Sequence, residues 1–344
     1  MKKLIILIVI SLTIIASCKK EKKAASRTTN NTTTTTPPTN TPTTTPARLR
    51  FILKLDSTQV SLDNIGNPYT MPGTHKAQSP RFNKFGAHYI ELASYDTTGV
   101  GRGTVLYVGS TVNTTPVTVT SGTNSATFTN AIDFTQLSLV PDGGELFSVP
   151  LSQVKPATYK WFRMSIAYQN YDVYYKINQG TSVNSYTLQS DYDGSGTIAS
   201  FVGYQTYINS YLLKTQTVTV NAPKLQGYWA FETNFVLNGV TYTNTPSQGQ
   251  APPGATTVVN PLFATSPIPA GSCLVTGKFV NTSQSPQTLT ITGNETQDIV
   301  VVVSVSTNKS FEWIEHSGDN TYNPLNNDTV TNMGLRGIIP IIQP

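Results

Sequence analysis

From Arg48 onward, runs in which apolar and polar residues alternate are separated by clusters of Gly, Pro, Asn and Asp. A period of two puts every second side chain on one face of a strand, so each run reads as a half-buried β-strand bounded by turns. Eleven runs fit: RLRFILKLD (48–56), HYIELA (88–93), TVLYVG (104–109), TPVTVTS (115–121), YKWFRMSIAY (159–168), YDVYYKI (171–177), TQTVTVN (215–221), YWAFETNFVL (228–237), CLVTGKFV (273–280), QTLTITG (287–293) and DIVVVVSVS (298–306). Thr, Val, Tyr and Ile dominate them, as a pleated surface prefers. DIVVVVSVS is apolar on both faces, which predicts a central strand covered on both sides.

One segment departs from this period. Between Thr197 and Lys214 the apolar residues Ile198, Phe201, Val202, Ile208, Tyr211 and Leu212 fall near helical spacing. That predicts one short helix packed across a sheet, with the preceding DYDGSG as its turn and cap. Gly203 in its interior would cost about 1 kcal/mol relative to Ala. The fold class expected is mainly β: an antiparallel β-sandwich, one elaborated or two abutting, with one short helix. Residues 48–344 exceed an ordinary sandwich in length, and the best internal boundary falls near 150–158, in VPLSQVKPAT.

The N-terminus carries a different pattern. MKKLIILIVISLTIIASC opens with Lys2 and Lys3, continues with an apolar run from Leu4 to Ile15, and ends in small residues before Cys18. This is the layout of a secretory signal, and the apolar run is short for a membrane-spanning helix. Ile15-Ala16-Ser17-Cys18 resembles the bacterial lipobox, which implies that residues 1–17 are removed and Cys18 is lipidated. No later run approaches about 20 apolar residues, so the expected attachment is an anchor rather than a span. Lys19 stands where an aspartate would favour inner-membrane retention, which points to the outer membrane. KKEKK offers only Glu21 as an acidic export signal, so the periplasmic and cell-surface faces both stay open. Residues 24–47, AASRTTNNTTTTTPPTNTPTTTPA, lack the apolar surface to fold. Residues 18–47 therefore read as a lipidated cysteine and a disordered tether, extended at about 3 Å per residue.

The tether changes the charge count. Seven of the 23 basic and one of the 18 acidic residues precede Arg48, leaving 16 against 17 in the folded part. A nearly neutral domain gives no support to nucleic-acid binding, and the Lys cluster reads as a patch beside the membrane. With Cys18 lipidated, Cys273 has no partner, which excludes an intramolecular disulfide and predicts a buried, inert thiol.

Candidate chemistry is sparse. The three histidines, His75, His88 and His316, occur without a GxSxG or HExxH motif, and a strand histidine such as His88 is expected to be structural. Glu91 and Glu232 lie in aromatic strands where burial could raise a carboxyl pKa, which keeps glycoside hydrolysis open. Exposed rings can stack on sugars; Trp161, Tyr174 and Trp229 are the candidate ligand-binding aromatics, against the alternative that strand aromatics fill cores. In EHSGDNTYNPLNND, Glu315, Ser317, Asp319 and the Thr321 carbonyl follow the spacing of an EF-hand-type loop, and Asp191, Asp193 and Ser195 begin similarly. Asn320 replaces the loop's glycine, Asn326 its bidentate glutamate, and Asp328 comes two places late. A structural calcium on Glu315, Ser317, Asp319, Thr321 and Asp328 and a solvated Asx-rich turn are the two readings. Asp56-Ser57-Thr58, Asp96-Thr97-Thr98 and Asp328-Thr329-Val330 resemble the acceptor sequence of Bacteroidota O-glycosylation, naming Ser57, Thr97 and Thr329.

The segments SFEW, YNP, MGLRGIIP, HYIELA and PIPAGSC together resemble a type of Bacteroidota outer-membrane lipoprotein. The resemblance implies an envelope location and transfers no activity and no functional residues. The expected function is a membrane-anchored ectodomain that binds an envelope ligand, a glycan being the best guess, without catalysis. A structural subunit binding an envelope protein, and a glycoside hydrolase, are the alternatives.

Overall fold

The computed structural model describes residues 46–344 apart from 122–123, 184–185, 252–272 and 336. The expected signal, the lipidation expected at Cys18 and the expected tether as far as residue 45 lie outside the described residues. The fold is mainly β, with several antiparallel sheets packed against one another and no helix longer than a single 3-10 turn among the described residues.

The largest sheet is built on β9 (Trp161–Ile177), flanked on one edge by β3 (Arg81–Ala93) with β4 (Thr104–Val108) beyond it. The other edge of β9 is shared. β18 (Cys273–Lys278) pairs with Trp161–Ile166 and β12 (Tyr192–Phe201) with Tyr168–Ile177. At the junction the Ala167 carbonyl accepts from the N–H groups of Val202 (2.9 Å) and Gly203 (3.2 Å). Beyond β12 come β15 (Tyr228–Leu237), β16 (Val240–Thr243) and β17 (Ser247–Gln250).

Three smaller sheets cover it. The first holds β1 (Arg48–Asp56), β7 (Glu145–Pro150), β20 (Ile299–Ser306) and β23 (Ile338–Ile342), with β1 and β20 parallel. Its Leu49, Phe51, Leu53, Val301, Val303 and Val305 pack onto Ile90, Leu92, Phe162, Met164 and Val275 of the large sheet. The second holds β5 (Thr111–Ser121), β6 (Asn124–Asp133), β13 (Gln205–Leu212) and β14 (Thr217–Leu225), and buries Ile208, Tyr211 and Val218 against Tyr168, Phe201 and Tyr228. The third, β2 (His75–Gln78), β21 (Phe311–Ile314) and β22 (Thr329–Met333), lays Phe311 and Trp313 on Tyr171, Val173 and Ile198. Because strand side chains alternate, Tyr168 and Tyr171 of β9 serve opposite faces. Short pairs complete the fold: β8 (Ala157–Tyr159) with β19 (Leu289–Ile291), and β10 (Ser182–Val183) with β11 (Tyr186–Thr187).

The expected helix over 197–214 is not there. The chain finishes β12 at Phe201, crosses at Val202-Gly203-Tyr204 and enters β13 in a different sheet. The apolar residues look helical in spacing because two strands with separate partners lie end to end, offset by the crossover. A Cβ on Gly203 would lie 2.4 Å from Ile132 Cδ1 of β6, so a larger residue at the crossing would have to push that side chain aside. DYDGSG is not a cap either; it begins β12. Cβ atoms on Gly194 and Gly196 would lie 2.5 Å from the Tyr175 ring and 2.2 Å from the Phe231 ring, so these glycines give room to two aromatics. The two strands expected at 159–168 and 171–177 are one continuous strand. Gln169 and Asn170, which read as a break, are buried, and the Asn170 amide donates to the Leu213 carbonyl at 2.9 Å. β20 is internal to its sheet, with Val301, Val303 and Val305 buried and Val300 and Val302 half-buried on the other face.

Candidate functional site

Where the third sheet meets the large one, the two do not close completely. A cleft of about 550 Å³ lies between them, within the size range of small-molecule sites. Tyr175 and Ile177 of β9, Ile198 of β12, and Trp229, Phe231, Thr233 and Phe235 of β15 line one side. Phe311, Val330, Thr331, Asn332 and Met333 of the third sheet, with Tyr322, Pro324 and Leu325 of the loop joining β21 to β22, line the other. Register explains the first wall. Ile198 pairs with Tyr171 and Phe231, so β9, β12 and β15 each present their alternate side chains to the same face. Trp229 crosses Gly249 of β17, where a Cβ would sit 2.6 Å from the indole.

The cleft grades from a buried floor to an exposed mouth. Tyr175, Ile198, Phe235 and Phe311 are buried, whereas Thr245, Ser247 and Leu325 at the opening are exposed. Among the described residues none that lines the cleft is an acid, a lysine, an arginine or a histidine. Among the described residues the titratable groups on the walls are Tyr175 and Tyr322, and burial pushes both phenols up to about 12, so both are neutral at physiological pH. The Tyr175 hydroxyl is satisfied inside the wall, 2.5 Å from Thr233 Oγ1.

The loop bearing Tyr322 and Leu325 is held by the acidic turn. Ser317 Oγ donates to Glu315 Oε1 (2.5 Å) and lies 3.0 Å from Asp319 Oδ1 and 3.5 Å from Asp328 Oδ2. Asp328 accepts from the N–H groups of His316 (2.7 Å) and Asn323 (2.8 Å), and Asp319 from that of Thr321 (2.9 Å). Lys176 pairs with Asp319 at 3.2 Å and Asp191 at 3.0 Å, and its N–H donates to the Tyr322 carbonyl at 2.8 Å. Glu315, Ser317, Asp319 and Asp328 are thus drawn together, but around a hydroxyl and N–H donors. Among the described residues no group of three or more His, Cys, Asp or Glu is disposed to hold a metal.

The three candidate aromatics do not share a surface. Trp229 lines the cleft. Trp161 sits at the opposite end of β9 with its Nε1–H donating to Asp96 (2.8 Å) and the Lys278 ammonium 4.8 Å over its ring. Tyr174 is 66% exposed on the face of β9 turned away from the cleft. At about 3.3 Å per residue, Trp161 and Tyr174 stand roughly 40 Å apart along one strand.

The glutamates are structural anchors. Glu91, fully buried, accepts from the N–H groups of Gly101 (2.9 Å) and Gly103 (2.6 Å) and lies 3.6 Å from Arg163, which donates to the Thr98 and Gly99 carbonyls. This pins the 94–103 loop to the sheet. Glu232 accepts from the N–H groups of Lys214 (2.9 Å), Thr215 (3.1 Å) and Gln216 (3.2 Å). Burial raises the Glu232 carboxyl, but the Thr215 hydroxyl and these N–H groups outweigh it and hold it below the usual range, the reverse of what a general acid needs. His88 is pushed down to about 3 by burial and stays neutral. His75 Nδ1 lies 2.5 Å from Glu312 Oε1, while His316 is exposed on the turn. Cys273 is buried and free, and burial raises its thiol pKa. Ser57, Thr97 and Thr329 are all exposed.

Sequence reasoning missed most of the cleft. Of its walls only Trp229 stands out in the sequence as a binding residue. The available signal was the pair Gly194 and Gly196 inside an aromatic-flanked strand, since interior strand glycines mark a close approach. Comparison with known protein families, curated proteins and solved structures gives no match.

Proposed function

We propose that this chain is a non-catalytic ligand-binding ectodomain of the bacterial envelope, tethered to the outer membrane through Cys18, with the cleft as its binding site. The observation that carries the reading is the cleft of about 550 Å³, walled by six aromatic side chains and, among the described residues, lined by no charged one. Concave, largely apolar pockets with a few hydrogen-bonding groups are where small molecules bind. Glu91 and Glu232, each satisfied by N–H donors, support binding rather than hydrolysis. No helix among the described residues is long and apolar enough to cross a membrane.

Organic extraction of protein purified from its own envelope, followed by mass spectrometry, tests the binding. A small molecule released from the wild-type chain and absent from Ser247→Trp, which fills the mouth from an exposed position, is the expected result. Equal recovery from both proteins, or from neither, overturns it. The anchor is tested separately: Cys18→Ala is expected to move the protein from the detergent to the aqueous phase of a phase-partition assay, and unchanged partition would sink that part.

A further inference from the structure

We infer that the ligand is an uncharged amphiphile, an apolar chain or fused ring carrying a hydroxylated head with no net charge. This rests on the cleft being the binding site and names the chemistry it selects. Three observations carry it. The buried and half-buried walls are mostly hydrocarbon and aromatic ring, from Ile198, Phe231, Phe235, Phe311 and Met333, with Thr233 and Asn332 as buried polar groups, a surface that suits an apolar chain better than a free sugar. The mouth is lined by the hydroxyls of Thr245 and Ser247, neutral groups that bond hydroxyls but cannot neutralise an ion. Among the described residues no cation lines the cleft. Lys176, the cation nearest in sequence to the wall, spends its charge on Asp191 and Asp319 at the outer side of the acidic turn. A fatty-acid carboxylate or a lipid phosphate brought into such a cleft would lose hydration without gaining a partner, a cost large enough to exclude it in favour of a neutral head. The site therefore separates lipids by charge at the head while tolerating their tails.

The test uses the full chain and the neutral dye N-phenyl-1-naphthylamine, which brightens in apolar surroundings. Dye uptake is expected, with displacement by submicellar monolauroylglycerol at a concentration at least tenfold below that needed for laurate at pH 8, and no displacement by glycerol or by free oligosaccharides. Ser247→Trp should abolish uptake. Leu325→Lys, which places a cation at the exposed rim, should improve displacement by laurate relative to monolauroylglycerol by tenfold or more. Laurate competing as well as its glycerol ester, or Leu325→Lys leaving laurate unaffected, overturns the assignment. Displacement by a free oligosaccharide overturns it too, while leaving the cleft as a binding site. Uptake only after excision of residues 252–272 makes that segment the occupant and overturns it as well. If no dye enters and envelope extraction also yields nothing, the binding reading fails along with the ligand class; an extracted molecule that is anionic removes only the ligand class.

Discussion

The two faces along β9 meet their partner sheets in different ways. At its N-terminal half, Phe162, Met164 and Ile166 pack against the four-stranded sheet of β1, β7, β20 and β23, and branched aliphatic side chains from both layers fill the space. Phe51 and Phe162 touch with ring centroids 5.0 Å apart, and both are fully buried. At its C-terminal half, Tyr175 and Ile177 look across to a three-stranded sheet and one loop, and a cleft stays between them. The difference lies in shape rather than hydrophobicity. Rings that stand edge to face, such as Phe311 and Tyr322 with centroids 5.0 Å apart, form rigid walls, and a sheet of only three short strands cannot reach every part of the larger one. A filled interface stabilises the fold, and an unfilled one is open to a ligand.

The contrast breaks first under truncation of a ring in each half. Phe162→Ala leaves a cavity enclosed on all sides and is expected to cost about 3–5 kcal/mol in chemical denaturation. Phe231→Ala removes a half-buried ring that borders open space, so its cost is expected at about 1–2 kcal/mol. The second variant should lose dye uptake while the first, if it folds, keeps it. Equal destabilisation by the two would mean that the cleft is as closely packed as the core. Next in size is Gly196→Val. The added Cβ would lie 2.2 Å from Phe231, and displacing that ring is expected to cost about 1–3 kcal/mol and narrow the cleft. Unchanged stability and uptake would show that Phe231 yields freely and that the wall is not fixed.

The same contrast explains what could be read from the chain. The filled half is legible because RLRFILKLD and DIVVVVSVS alternate or run apolar for eight or nine residues, and their strands form close to where that pattern places them. The cleft half is built on interruptions. Gln169 and Asn170 stop the alternation although the strand continues, because the Leu213 carbonyl takes up the Asn170 amide from another sheet. Gly194 and Gly196 read as a turn although they lie in a strand, because the rings they accommodate are 19 residues upstream and 35 downstream, at Tyr175 and Phe231. Such local patterns lose their meaning when the partner is distant in sequence. The acidic turn shows the limit of spacing as a signal: its residues do converge, yet the hydrogens that share their oxygens come from backbone N–H groups, which no side-chain motif records.

A smaller effect, confined to the cleft half, is expected from acid. Burial raises the carboxyls of Glu315 and Asp319, but hydrogen bonds outweigh it and hold both below the ordinary range: Ser317, Trp313 and the Gly318 N–H for Glu315, the Thr321 N–H, Lys176 and Ser317 for Asp319. Folded values below the unfolded ones mean that their contribution is complete above the ordinary carboxylate range and is lost as pH falls through the depressed values. Trp313, whose Nε1–H donates to Glu315 Oε2 at 3.2 Å, reports the turn by its emission. In acid, that emission and dye uptake should change together before global unfolding. The double variant Glu315→Gln, Asp319→Asn should flatten the early phase; an identical acid profile in that variant would show that the turn does not hold the wall.

The smallest effect concerns calcium. Oxygen donors are present in the right chemical class, three carboxylates and a hydroxyl, but a calcium ion takes six to eight oxygens at about 2.3–2.6 Å. Here Ser317 occupies the middle of the group, Asp328 accepts from the backbone with both oxygens, and Lys176 already neutralises Asp319. An ion would have to displace those bonds before gaining its own. Melting in excess EDTA and in millimolar calcium is therefore expected to give the same midpoint and the same dye uptake. A calcium-dependent rise in both, absent in Asp328→Asn, would show that the turn reorganises around a cation and that the wall of the cleft is set by it.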